Sequence, residues 1–306
     1  MRKFADEKAL ALPAEKHNPA ENSDTSGPIL DETAATLESL YENTLDTLVI
    51  ERIVVGVFFV GVKLSNGCGG VAYTPPEVVH RAGSRILKNN IPIISGMPAL
   101  SIVRDALPGP FAGIIRLAGL NALSVPFLND RHYNMDTSGD LSAIASLFRH
   151  RRVCIVGAII PLLKRLQQLE ASEVTIIDRK KETQAESEAG YGIFVPPENT
   201  AAALGRCETA VFTGAAVANG SIGHLIGLVP AEAAIAVVGP TAGFVPDPLF
   251  RRRVALVGSV VVTDSDKALD NLAEGGGAYR LFGECMRKIN LLNVPRLRQL
   301  GLDYSF

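Results

Sequence analysis

Residues 153–178 read VCIVGAIIPLLKRLQQLEASEVTIID: a short apolar run, a glycine turn, a helical stretch and a second apolar run that ends on an acid. Runs of this length, bounded by turn residues, suit strands buried in a sheet core. The same alternation continues to the end of the chain. Five strand-like runs each end in small or polar residues. Val153–Val156 runs into Gly157, and Val174–Ile177 into Asp178. Ala210–Thr213 leads into Gly214 and on to Asn219-Gly220-Ser221. Ile235–Val238 runs into Gly239-Pro240-Thr241, and Val260–Val262 into Thr263-Asp264. Helices are expected at residues 160–169, 222–229 and 265–273. Strands alternating with helices imply right-handed crossovers and a parallel sheet covered on both faces. In such a sheet ligands sit outside the carboxyl ends of the strands.

The first half is organised differently. Residues 1–28 are polar and rich in proline, and read as a tail. Asp31 is expected to cap a helix in which Leu37, Leu40, Tyr41, Thr44 and Leu45 recur at helical spacing. The apolar run from Ile53 reads as one strand to Leu64, and Ser65-Asn66-Gly67 then turns the chain into a second strand, Gly69–Tyr73. Residues 97–106 and 113–124 read as helices, residues 78–87 as a helix or an irregular segment, and residues 141–148 as a short helix. The expected division is a tail over 1–28, an α+β domain over 29–148 and a Rossmann-like α/β domain over 149–306.

Composition narrows the function. Of 306 residues, 47% are hydrophobic and 20% charged, so a sizeable core is expected. A net charge of −2 lacks the basic excess of a nucleic-acid partner. The run around Ile53–Val62 is too short to cross a membrane, and the first residues lack a secretory apolar region. Cys68, Cys154, Cys207 and Cys285 are far apart in sequence, with no CxxC spacing, which fits a reducing cytosol. Cys154 falls within an expected buried strand, where packing explains it.

The strand ends supply the candidate chemistry. Gly157 with Asp178 is a partial dinucleotide pattern. The fingerprint needs three glycines; only Gly157 is present, and bulky Ile159 and Ile160 fill the turn where backbone would have to approach a pyrophosphate. Pro161 instead suits a first helical turn. Ser221 is expected to cap the next helix and leave backbone N–H groups free for an anion beside Asn219 and Gly220. Gly239, Pro240 and Thr241 admit the same reading. Thr263 and Asp264 read either as a cap or as acceptors for a ligand or hard cation. Glu274-Gly275-Gly276-Gly277 has more glycine than one helix end requires, which suits close ligand approach or a hinge. The five histidines show no metal-ligand spacing.

Two groups of motifs carry a resemblance. Lys63–Gly67 followed by Gly70–Thr74, with Ala118–Ser124 around Asn121, resembles a domain with an enolase N-terminal-like fold. Thr213-Gly214, Val217, Asn219-Gly220-Ser221, Val238–Thr241, Val262–Asp264 and Glu274–Gly277 resemble the family described as "Putative heavy-metal chelation". The resemblance implies an enolase-N-like domain packed on a Rossmann-like domain, with a site between them. It implies that Lys63 and Asn121 face that cleft. It also implies a metal ion, or a metal–chelator complex, as the group handled. Soft metals favour thiolate and imidazole, and no cluster of either is visible in the sequence.

Three functions follow as expectations. The first is a cytosolic protein that takes a small polar or anionic molecule, or a metal–chelator complex, into the interdomain cleft. The second is an enzyme with a nucleotide or S-adenosylmethionine-type cofactor on a modified Rossmann fold. The third is a non-catalytic metal-handling protein. Neither a nucleic acid nor a membrane is an expected partner, and a homo-oligomer is compatible with the chain.

Overall fold

The computed structural model describes residues 27–86, 92–139, 141–179, 184 and 190–304. All but the last two residues of the expected tail lie outside them. The chain begins with α1 (Gly27–Tyr41). The meander β1 (Ile50–Val55), β2 (Phe59–Leu64) and β3 (Gly69–Tyr73) follows. Next come α2 (Pro76–Ile86), α3 (Leu100–Val103) and α4 (Ala112–Ser124), then β4 (Asn134–Asp136). The second half contains β5 (Arg152–Val156), α5 (Ile160–Gln168), β6 (Glu173–Ile177), β7 (Ile193–Val195) and α6 (Thr200–Leu204). It continues through β8 (Thr209–Thr213), α7 (Gly214–Ala218), α8 (Ile222–Gly227), β9 (Ala234–Val238), α9 (Asp247–Arg251) and β10 (Leu256–Val262). It closes with α10 (Ser265–Ala273), α11 (Ala278–Glu284), β11 (Met286–Leu292) and α12 (Val294–Gln299).

Among the described residues there are two sheets. The first has the antiparallel order β1-β2-β3. The second has eight strands in the order β4-β11-β10-β9-β8-β5-β6-β7. Six strands, from β10 across to the edge strand β7, are parallel; β11 pairs antiparallel with β10, and β4 antiparallel with β11. The chain enters at β5, moves outward to β6 and β7, then returns to build β8, β9 and β10 on the other side. This is the Rossmann order, and its switch point lies between β5 and β8. The fold is therefore α/β, an α+β unit joined to a Rossmann-like sheet.

The meander is enclosed on both faces. On one, β3 lies directly on α4: a Cβ at Gly70 would come 2.2 Å from the Ala118 carbonyl oxygen and 2.3 Å from the Ala122 nitrogen. On the other lies α10 from the second half, where a Cβ at Gly61 would meet Leu272 at 2.7 Å. A single apolar core runs through both units, with Val62, Leu117 and Ala118 in the same cluster as Phe212, Ala242 and Phe244. Asn134–Asp136, on the first-unit side of the boundary expected at 148/149, pairs with β11 of the large sheet. Ile144, Leu147 and Phe148 pack in the second core with Val153, Leu163 and Leu297.

Several local expectations are corrected. The run from Ile53 is two strands, not one: Val55 pairs with Val60 across a turn at Gly56-Val57-Phe58. A Cβ on Gly56 would strike the Leu272 and Phe59 carbonyls at 2.9 Å. Asp31 does not cap α1. The helix starts at Gly27-Pro28, and Asp31 pairs with the buried Arg116 at 2.8 Å. The helix expected over 97–106 shrinks to Leu100–Val103. β11 went unread because Arg287 and Lys288 interrupt its apolar pattern.

Two outcomes follow. Gly70→Ala should cost about 1–3 kcal/mol, because backbone on both sides of the contact cannot yield. Gly113→Ala on α4, with nothing within 4 Å, should be neutral or stabilise by up to about 1 kcal/mol. Urea melts compare them, and a Gly70→Ala that melts with wild type would refute the contact. Secondly, Glu32 of α1 receives Arg252 and Arg251 at the end of α9. These hydrogen bonds, Arg252's the larger, pull its pKa from 4.5 to about 2. A depressed carboxylate pKa gives stability that is present above the unfolded value and lost as pH falls through the folded one. Partial exposure keeps the effect modest. Wild type should lose stability more steeply than Glu32→Gln between about pH 5 and pH 2; equal slopes would exclude this clamp.

Candidate functional site

At the switch point β5 ends in Gly157, whose φ is +85°. A Cβ there would lie 2.2 Å from the Thr213 hydroxyl at the end of β8. Thr213 thus occupies the space that a side chain would take. The following nitrogen, Ala158 N–H, donates to the Asp178 carboxylate at 2.9 Å. Gly157 and Asp178 therefore make a tight turn at the ends of β5 and β6. The next strand ends interlock similarly. Gly239 has φ 137°, its Cβ would meet Gly214 N at 3.1 Å, and a Cβ on Gly214 would meet Thr241 Cβ at 2.8 Å. Ser259 Oγ donates to the Gly239 carbonyl at 3.2 Å.

Onto this edge the first unit is stapled. Thr241, 1% exposed, accepts the Tyr73 backbone N–H on its hydroxyl at 3.0 Å. Asn121 of α4, 3% exposed, donates its Nδ2 to the Val71 carbonyl at 2.7 Å and to the Thr241 carbonyl at 3.1 Å. The Pro240 carbonyl lies at 3.5 Å from the same nitrogen. Carbonyls on both sides fix the orientation of the amide. Its Oδ1 is buried and has no hydrogen-bond partner among the described residues. The hydroxyl of Thr74, a residue 2% exposed directly after β3, is likewise buried without one. Thr74 N–H donates to the Phe58 carbonyl at 2.9 Å, which places Thr74 beside the β1–β2 turn. Gly277 approaches the same turn: a Cβ on it would lie 3.7 Å from Phe58.

The structure thus joins Asn121, Gly239, Pro240 and Thr241 in one seam, with Gly157 at the neighbouring strand end. Other candidates are engaged elsewhere. Asn219 closes α7 and is exposed, and its Oδ1 accepts the Ser221 N–H at 3.1 Å and the Ser221 hydroxyl at 2.7 Å. Ser221 makes no side-chain cap on α8, contrary to expectation. Asn219, Gly220 and Ser221 stand beyond a short helix rather than directly on the sheet edge. Asp264 caps α10 by accepting the Lys267 N–H at 3.0 Å, and it is exposed together with Thr263. Lys63 is clamped by Glu51 at 2.8 Å and Asp266 at 2.9 Å, which, Glu51 first, raise its pKa. Beside it Ser265 donates to the Gly67 carbonyl, so Lys63 ties the hairpin to α10.

The glycine run divides in the same way. Gly275 has φ +78° at the end of α10, and a Cβ on Gly276 would strike the Asn271 carbonyl at 2.5 Å. Glu274 pairs with Arg280 at 3.1 Å. Geometry alone accounts for two of the three glycines. Thr74 was not among the candidate ligand residues, although it closes the Gly70–Thr74 motif and precedes Pro75-Pro76, where a strand gives way to α2. Among the described residues no group of three or more His, Cys, Asp or Glu could hold a metal ion, and no helix is long and apolar enough to cross a membrane.

Comparisons with known proteins agree with this architecture. Two family models, both described as "Putative heavy-metal chelation", match residues 38–124 and 140–291. Among solved structures the chain is similar to a protein of unknown function from Pyrococcus horikoshii. The identity is 18% and the TM-score 0.64, over 86% of this chain and 99% of that one. It is also similar to a protein of unknown function from Desulfitobacterium hafniense, at 16% identity and a TM-score of 0.64, over 89% and 100% of the two chains. Both structures come from the family of the second model. At such identities the likeness shows the fold alone. No curated protein matches the chain.

The staple can be tested directly. Thr241→Val keeps the shape and strands the Tyr73 N–H. It should cost about 1–3 kcal/mol in urea unfolding, the penalty for a buried donor left unpaired. An unchanged midpoint would show that Tyr73 finds water instead.

Proposed function

We propose, from the premise that this chain belongs to the family described as "Putative heavy-metal chelation", that it binds a small polar or anionic molecule in the seam between its two units. The ligand is a hydroxy- or amino-carboxylate, alone or wrapped around a metal ion. The observation that carries this reading is the Asn121 Oδ1. It is buried, its orientation is set by the bonds on Nδ2, and among the described residues it has no hydrogen-bond partner. A buried acceptor left unpaired costs about 1–3 kcal/mol, so native folds rarely keep one that neither ligand nor water satisfies. The unpaired Thr74 hydroxyl adds a second such group.

The chemistry of the seam selects the ligand. Asn121 Oδ1 and the Val71, Pro240 and Thr241 carbonyls are acceptors, so the part of the ligand that meets them carries O–H or N–H. A bare carboxylate or phosphate does not suit that spot. An anionic portion is better placed towards Arg179, after β6, which reaches Glu77 of α2 at 3.9 Å and is otherwise largely exposed. A metal carried this way arrives inside its chelator, because direct chelation by several side chains has no donor cluster among the described residues. A second reading, a nucleotide or S-adenosylmethionine-type cofactor at the switch point, is favoured by the strand order. Against it, Gly157 and Asp178 already serve the local turn.

Titration calorimetry of the metal-free protein with citrate, nickel(II)–citrate, inorganic phosphate and S-adenosylmethionine separates these readings. Citrate or its nickel complex should bind in preference to phosphate. Thr74→Val should weaken that binding about 10-fold, or about 1.4 kcal/mol. The same change should leave the unliganded protein as stable as wild type or up to about 1 kcal/mol more so. Affinity unaltered by Thr74→Val would remove the seam as the site, and tight binding of S-adenosylmethionine would favour the second reading.

A further inference from the structure

Cys154 and Cys207, 53 positions apart in sequence, meet inside the core. Cys154 sits in the middle of β5, and Cys207 lies just ahead of β8, the adjacent parallel strand. Both are buried, at 3% and 6% exposure. Their sulfurs point at the same turn: Cys154 Sγ donates to the Ala203 carbonyl at 3.5 Å and Cys207 Sγ to the Leu204 carbonyl at 3.1 Å. The two thiols are also near enough to act on each other. Around them lie Leu204, Ala210 and Phe212.

We propose that Cys154 and Cys207 form a two-sulfur site for a soft d¹⁰ metal ion, separate from the seam. Thiolates select copper(I) and its soft relatives. Zinc suits the pair less well, since it takes four ligands and among the described residues no third His, Cys, Asp or Glu completes a cluster. Binding is a plain ligand exchange. Two S–H bonds break, two metal–sulfur bonds form, and two protons leave, with no change of oxidation state. With mercury(II) the buried product is neutral. With copper(I) it carries one negative charge; Glu173 and Arg206 are near enough to act on the Cys154 sulfur, with opposite signs, and Arg152 on that of Cys207.

The surroundings permit the exchange. The Ala203 carbonyl also accepts the Arg206 N–H at 3.1 Å, and the Leu204 carbonyl accepts the Cys207 N–H at 3.3 Å. Loss of both S–H donors therefore leaves neither carbonyl unpaired. The site also lies shallow. α6 is five residues long, and Gly205 and Arg206, which close the turn above the sulfurs, are exposed. Opening this one turn admits an ion.

The test uses the full chain, fully reduced and handled without oxygen. Tetrakis(acetonitrile)copper(I) is titrated in competition with bathocuproine disulfonate. Wild type should retain one copper(I) per chain, release two protons and show two-sulfur coordination in X-ray absorption. Cys154→Ala and Cys207→Ala should each lower the affinity at least 100-fold, and Cys68→Ser should not. Circular dichroism confirms that each variant is folded. If either alanine variant does not fold, the mercury(II)–thiolate absorption of wild type, with and without prior blocking of the half-buried Cys68, provides the readout. Retention of copper by both alanine variants, coordination by three or more sulfurs, or no retention by wild type would overturn the proposal. None of these outcomes bears on carboxylate binding in the seam.

Discussion

Gly70 lets β3 lie directly on the backbone of α4, and the junction of the molecule is built from that contact. With no Cβ at this position the strand and helix approach until Gly70 stands against the peptide between Asn121 and Ala122. Asn121 is then placed to reach past the strand to the Val71 carbonyl and, beyond it, to the loop after β9. A larger residue at Gly70 would push α4 away and lift the amide off that loop. The meander needs α10 on its other face for the same reason that it needs α4: three strands cannot bury two apolar faces alone. The two units are consequently one packing problem, with a core that runs through both.

The polar groups at the strand ends are governed by this junction. Thr213 fills the space over Gly157, Gly214 lies against Thr241, and Thr241 receives Tyr73 from the first unit. Residues with the look of a ligand cradle are therefore largely spent on holding strand ends and units together. Among the described residues at this junction, the buried side-chain groups left without a partner are one amide oxygen, of Asn121, and one hydroxyl, of Thr74. A ligand that pairs with them touches the same side chains that set the packing of the two units. Binding and domain packing share these residues.

Five of the six parallel strands were legible because they are short apolar runs that lead into glycine, aspartate or threonine; β7, three residues long and followed by Pro196, was not read. α4, α5 and α10 came within a residue of their expected bounds, since their apolar spacing is regular. Other elements were hidden by ordinary causes. The turn at Gly56-Val57-Phe58 is apolar and lacks the usual turn residues, so two strands read as one. β11 carries Arg287 and Lys288 at consecutive positions, which breaks the alternation expected of a strand. In the site, Asn121 and Thr241 were both named, yet their meeting across 120 positions was not derivable from spacing. Asn219 and Asp264 looked equivalent to Thr241 in sequence. Only the folded chain separates an exposed turn and a helix cap from a buried staple.

By itself the sequence determined the class of the protein: a hairpin unit followed by a parallel α/β sheet, with polar residues at the strand ends and no local metal motif. Those properties are carried by neighbours in the chain, through period, turn chemistry and composition. The tertiary structure decided which of those residues are occupied. A hydrogen bond from Tyr73 to Thr241, the unpaired oxygen of Asn121 and the meeting of Cys154 with Cys207 all depend on segments far apart in the chain. Whether a polar atom has a partner is a property of three-dimensional packing, because the partner is supplied by whichever strand or helix the fold sets beside it.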